Sequence, residues 1–147
     1  MSPILQGAII GGIIGLVVVV FMFTVKDQKY KKIIKTITGP IDYSALYHYA
    51  SFQRYKKSMK FYDSYGVLYL AGKIVFYKVS ETEAPLSFDM NECSIQQEPD
   101  WRMLKWFSIT RPSGEKFYFN SQKMGLLKNN SDETLRGFAA IKAKTVS

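Results

Sequence analysis

Cysteine and histidine are almost missing from this chain: Cys93 and His48 stand alone among 147 residues. A lone cysteine builds neither an intrachain disulfide nor a Cys-based zinc site, and a lone histidine leaves no pair for a metal or a proton relay. The sequence also lacks a phosphate-cradling glycine loop and a GxSxG nucleophile elbow. Acidic residues are the minority, 12 Asp plus Glu against 20 Lys plus Arg, giving a formal net charge of +8. Low hydrophobicity is another absence: at 47% hydrophobic content the chain is too apolar to be disordered, and its length allows one ordinary domain plus an appendage.

Charge vanishes altogether between Ile4 and Val25, where only Gln6 and Thr24 interrupt an apolar or glycine run. As a helix this run spans about 33 Å, enough to cross a hydrocarbon core. A transmembrane helix over residues 1–25 is therefore expected. A secretory signal peptide would need basic residues before the run and small residues at a cleavage site after it, and neither is present. Lys26, Lys29, Lys31, Lys32 and Lys35 follow at once, against a single Asp27. This one-sided positive flank predicts a single-pass protein of the cell or inner membrane, with the N-terminus outside and the C-terminal domain cytoplasmic. Half of the net charge sits before residue 39, so the remainder is only mildly basic and nucleic-acid binding is not expected.

Gly7, Gly11 and Gly15 recur every fourth residue, with Ala8 and Gly12 as a parallel small pair. One helix face would let another backbone approach closely, so a transmembrane partner helix or a homodimer is expected there. Beyond the span, Tyr30, Ile33, Ile34 and Ile37 follow helical spacing among lysines, so residues 26–40 read as a basic amphipathic helix stopped by Gly39 and Pro40. Its isoleucine stripe could lie in the headgroup layer, or pack on the folded domain or a partner. The simplest role of the lysines is as a stop-transfer flank.

Residues 41–147 form the expected cytosolic domain. Asp42 and Ser44 offer caps, and Tyr43, Leu46, Tyr47 and Ala50 are helically spaced, predicting a short helix over about Tyr43–Phe52. Seven tyrosines from Tyr30 to Tyr65, interleaved with Arg54, Lys56, Lys57 and Lys60, suit either a headgroup-facing surface or half-buried packing. Two β-rich runs, Gly66–Leu70 and Lys73–Tyr77, flank the two-residue turn Ala71-Gly72 and predict a hairpin. Strands are expected at Leu86–Asp89, around Cys93–Gln97, at Met103–Thr110 and at Lys116–Asn120. A terminal helix follows, with Ser131 as cap, Asp132 and Glu133 in its first turn and Lys142 and Lys144 in its last, and with Leu135, Phe138 and Ala139 on an apolar face. The fold class is α+β, mainly β: an antiparallel open barrel of six or seven strands, plugged by the C-terminal helix.

The segment Gly66-Val67-Leu68-Tyr69-Leu70-Ala71-Gly72-Lys73-Ile74-Val75-Phe76 resembles the first hairpin of GRAM and related pleckstrin-homology-like domains. The downstream order is similar, with Leu86-Ser87-Phe88, Cys93-Ser94-Ile95, Phe107-Ser108-Ile109-Thr110 and Phe117-Tyr118-Phe119 leading to the last helix, over about residues 58–144. The resemblance implies a seven-stranded barrel capped by a helix, used to dock lipid headgroups or proteins. It points to lysines around the first hairpin as headgroup contacts, here Lys57, Lys60, Lys73 and Lys78.

Candidates for catalysis are few. His48 and Cys93 read as packing residues, and Asp89, Glu92, Glu98 and Asp100 cluster in sequence without the spacing of an EF-hand loop. No catalytic residue, metal or cofactor is expected. The function expected is a membrane-anchored, non-catalytic docking or adaptor module that binds protein partners or anionic lipid. The alternative is a small accessory subunit of a larger membrane complex.

Overall fold

The computed structural model of the chain describes residues 2–56, 62–101, 104–121, 123–124, 129–130 and 132–146. Helix α1 covers Pro3–Ile34, and strands β1 (Tyr43–Ser51), β2 (Ser64–Ala71), β3 (Ile74–Lys78), β4 (Leu86–Asp89), β5 (Ser94–Trp101), β6 (Leu104–Thr110) and β7 (Lys116–Asn120) follow. A two-residue pair, β8 (Lys123–Met124) with β9 (Asn129–Asn130), precedes helix α2 (Asp132–Val146). The class is α+β, with seven strands in one antiparallel sheet ordered β4-β3-β2-β1-β7-β6-β5.

Helix α1 is long because nothing in it stops a helix: 32 residues at 1.5 Å each give about 48 Å. Ser2 caps it by accepting from the Leu5 amide, and Pro3 starts it without losing a needed donor. From Ile4 to Met22 every side chain faces open space, so this stretch is long and apolar enough to cross a membrane. The helix ends at Ile34, five residues before Gly39, in two tight turns whose amides at Thr36 and Ile37 donate to Ile33 and Ile34.

The expected helix over Tyr43–Phe52 is absent; the segment is β1, the central strand. Its helically spaced apolar positions coexist with a strict alternation of Tyr43, Ala45, Tyr47 and Tyr49 against Ser44, Leu46, His48 and Ala50. The alternation prevails because both faces of β1 have partners to bury against. Nor do the expected caps act as caps. Asp42 accepts from the Gly72 amide (2.8 Å) in the β2–β3 turn, and Ser44 bonds the Tyr30 hydroxyl. The β2–β3 hairpin itself forms as expected, with Gly72 at φ +63°. The expected strands Leu86–Asp89 and Lys116–Asn120 appear with the same bounds, the one around Cys93–Gln97 runs Ser94–Trp101, the one at Met103–Thr110 is described from Leu104, and the expected cap Ser131 lies outside the described residues.

The sheet curls on itself. β4 and β7 are four strand positions apart, about 19 Å across a flat sheet. Yet the ring centroids of Phe88 and Phe117 are 4.9 Å apart and those of Phe88 and Phe119 6.0 Å apart. Arg111 closes the seam, donating to the Ser87 carbonyl and lying over the Phe88 and Phe117 rings. Inside the curl, Tyr47, Leu68, Val75, Tyr77, Phe107 and Phe119 form the main core, and Ile141 of α2 plugs it. Gly137 makes that plug fit, because a Cβ there would come within 2.1 Å of the Tyr47 hydroxyl oxygen.

Candidate functional site

The outer face of the sheet carries two further apolar clusters, and one of them joins the sheet to α1. Ile33 is 1% exposed, buried against Val67 and Tyr69 of β2, with Ile34, Ile37, Ile41, Leu46 and Phe76 around them. Of the places open to the isoleucine stripe, it therefore occupies the folded domain. Polar contacts hold the same junction. The Tyr30 hydroxyl bonds Ser44 Oγ at 2.6 Å, Lys78 Nζ donates to Thr36 Oγ1 at 2.7 Å, and Lys29 Nζ donates to the Tyr65 carbonyl. Gly66 lets β2 and the end of β3 approach closely: a Cβ there would lie 2.4 Å from the Lys78 carbonyl oxygen. The second outer cluster sets Tyr55 flat on Tyr118, with a ring separation of 3.9 Å, and edge-on to Trp106.

The five lysines after the apolar run divide their roles. Lys26 and Lys29 lie over the Tyr65 ring at 5.4 and 5.6 Å. Burial lowers the Lys29 ammonium from its ordinary range while Glu83 opposes that shift. Lys31 pairs with Asp27 at 2.9 Å on an exposed surface, and Lys32 and Lys35 are exposed. Beside them His48 sits between Tyr62 and Tyr65, its ring 4.5 and 4.6 Å from theirs. Burial, and then the charge of Lys26, lowers its imidazole to about 4, so it is neutral at physiological pH.

Of the four lysines suggested as headgroup contacts, the two among the described residues, Lys73 and Lys78, stand at opposite ends of β3. Lys78 ties β3 to the end of the α1 arm, whereas Lys73 sits in the β2–β3 turn, about 20 Å along β2 from Tyr65. Lys57 and Lys60 lie outside the described residues. Gly7, Gly11, Gly12 and Gly15 face open space, since a Cβ added at any of them meets nothing within 4 Å, and Ala8 is exposed.

The acidic residues near β5 also disperse. Asp89 accepts from Asn91, Asp100 pairs with Lys105 at 2.8 Å, and Glu98 accepts from Ser108 and Lys116. Among the described residues no three His, Cys, Asp or Glu side chains come together as a metal site. Cys93 is half-buried, and burial pushes its thiol up, away from the reactive thiolate.

Three residues without any signal in the sequence join the junction: Gln28, Ser80 and Glu81. They line a cleft of about 320 Å³ between α1 and the loop after β3. That loop is shaped by Ser80 Oγ, which accepts from the Glu83 amide. Only the docking of α1 onto the sheet places Gln28 opposite Ser80. Compared with known proteins, the chain matches no family model and no curated sequence.

Proposed function

We propose that the chain is a single-pass membrane protein whose curled sheet is a pleckstrin-homology-like barrel, acting as a non-catalytic docking module at the cytosolic membrane surface. The observation that carries this reading is the continuity of α1. The helix that is apolar from Ile4 to Val25 runs unbroken to Ile33, whose side chain is buried in the outer face of the sheet. A span joined in this way is a stiff arm. It holds the barrel at one height and one orientation against the bilayer, where a flexible linker would leave both free. Tethering also raises the local concentration of any membrane-associated partner, so weak intrinsic affinity for a protein or an anionic headgroup suffices. The strand order β4-β3-β2-β1-β7-β6-β5 with α2 plugging the curl supports the barrel reading.

Affinity purification of the full chain in mild detergent, with identification of what accompanies it, tests the docking role. A recurrent membrane-associated protein or a retained anionic lipid is expected. A chain that emerges alone and binds anionic vesicles no better than phosphatidylcholine ones refutes it. Protease added to sealed intact cells tests the side: digestion of the C-terminal domain would place it outside.

A second reading, an accessory subunit packed among other membrane helices, is favoured by the spacing of Gly7, Gly11 and Gly15, which leaves one face of α1 without side chains at three successive turns. It predicts stoichiometric co-purification that Gly11→Leu abolishes.

A further inference from the structure

The cleft between α1 and the β3–β4 loop has two walls of opposite charge. Lys29 and Lys32, one turn apart on the helix, face Ser80 and Glu81, and Glu83 is close enough to act on the Lys29 ammonium. Its apolar part comes from Val25, Ile33 and Val79. We infer that this cleft holds the headgroup of phosphatidylethanolamine, a phosphodiester carrying a primary ammonium. The inference rests on the membrane-spanning reading of α1.

Depth supports it. Val25 ends the apolar run, and Lys29 follows about 6 Å further along the helix axis. The headgroup layer adds about 5–8 Å to each side of the hydrocarbon core, so Lys29 lies at the level of the lipid phosphates. Lys32 starts about 10 Å beyond Val25, from where its long stem reaches back. An ammonium has three N–H donors, and Lys29 uses one on the Tyr65 carbonyl, leaving two for phosphate oxygens.

Charge selects the lipid. An anionic glycerol headgroup would bring only negative charge against Glu81 and Glu83. The quaternary nitrogen of choline has no N–H to donate to a carboxylate or to Ser80 Oγ. The ethanolamine ammonium supplies three donors on the acidic wall while its phosphate meets the lysines. Val25, at the membrane end of the cleft, meets the glycerol and the first methylenes.

The test uses the delipidated full chain in mild detergent, titrated with short-chain phosphatidylethanolamine, phosphatidylcholine and phosphatidylglycerol, and with inorganic phosphate, by native mass spectrometry. The ethanolamine lipid should bind about two- to fivefold more tightly than the other two, the ratio expected of one additional exposed ion pair. Glu81→Gln should erase that preference. Lys32→Gln should weaken all three lipids by a similar factor. Equal binding of the three lipids, or an unchanged preference in Glu81→Gln, overturns the proposal, and inorganic phosphate binding as tightly as the ethanolamine lipid reassigns the cleft to free phosphate. Alkaline carbonate extraction separates the two levels of failure: a chain released from membranes loses the spanning reading, whereas one that stays without lipid preference loses only the headgroup.

Discussion

Truncating Ile33 should uncouple the sheet from the helical arm. Its side chain is 1% exposed between Val67 and Tyr69. Ile33→Ala deletes three carbons, about 2.4 kcal/mol at 0.8 kcal/mol each, and the cavity left behind brings the cost to about 3 kcal/mol. That is roughly a hundredfold in the docking equilibrium. Ile33→Asp goes further, because docking would then bury an unpaired carboxylate. The assay is a distance measurement between spin labels at Lys31→Cys on α1 and Asn91→Cys beside β4, both exposed positions, in a Cys93→Ser background. The parent should give one narrow distance, Ile33→Asp a broad distribution, and Ile33→Ala a lowered melting temperature. Lys35→Ala, exposed at the end of the same helix, is the control and should change neither reading. If the Ile33 variants and Lys35→Ala behave alike, the buried junction does not hold the arm, and the stiff-tether mechanism fails with it.

Gly66→Ala should destabilise by more than about 2 kcal/mol in urea unfolding, since its Cβ would fall 2.4 Å from the Lys78 carbonyl oxygen and 2.9 Å from Val79 Cα, both backbone atoms. Gly137→Ala gains about 1 kcal/mol of helix propensity, yet should be destabilising overall because its Cβ would fall 2.1 Å from the Tyr47 hydroxyl, which donates to the Glu133 carbonyl at 2.7 Å. Adding Tyr47→Phe should recover part of that loss in a double-mutant cycle, and strict additivity would rule out the clash. For His48 the folded state holds the imidazole near 4 against 6.5 unfolded, so as pH falls below 6.5 the unfolded chain takes up the proton first and stability drops. Between pH 7 and 5 this amounts to about 2 kcal/mol, visible as a falling melting temperature, and His48→Gln should remove that slope.

Elements whose signal is local were legible in the sequence. The β2–β3 hairpin is one, because Ala71-Gly72 needs only its own backbone to turn and Gly72 takes φ +63°. The terminal helix is another, with acidic residues in its first turn and Lys144 in its last, although Leu135 and Ala139 of its expected apolar face are exposed and Phe138, Ala140 and Ile141 meet the core. β1 was not legible: Tyr43, Leu46, Tyr47 and Ala50 satisfy a helical period while Tyr43, Ala45, Tyr47 and Tyr49 satisfy a strand period. What separates the two is the presence of apolar partners on both sides of the segment. Of the candidate site, the lysines were visible individually, but their division into docked, paired and exposed members depends on Tyr65, Asp27 and the sheet surface.

The amino-acid order by itself determined the long apolar helix, its basic flank and the mainly antiparallel strand grammar, because helix length, charge and turn chemistry act over a few residues. Only the tertiary structure decided that the isoleucine stripe lies on the sheet, that β1 is the central strand, and that Ser80 and Glu81 face Lys29 and Lys32. Each of those outcomes pairs surfaces about 15 to 70 residues apart in the chain. No local pattern records which apolar face will meet which.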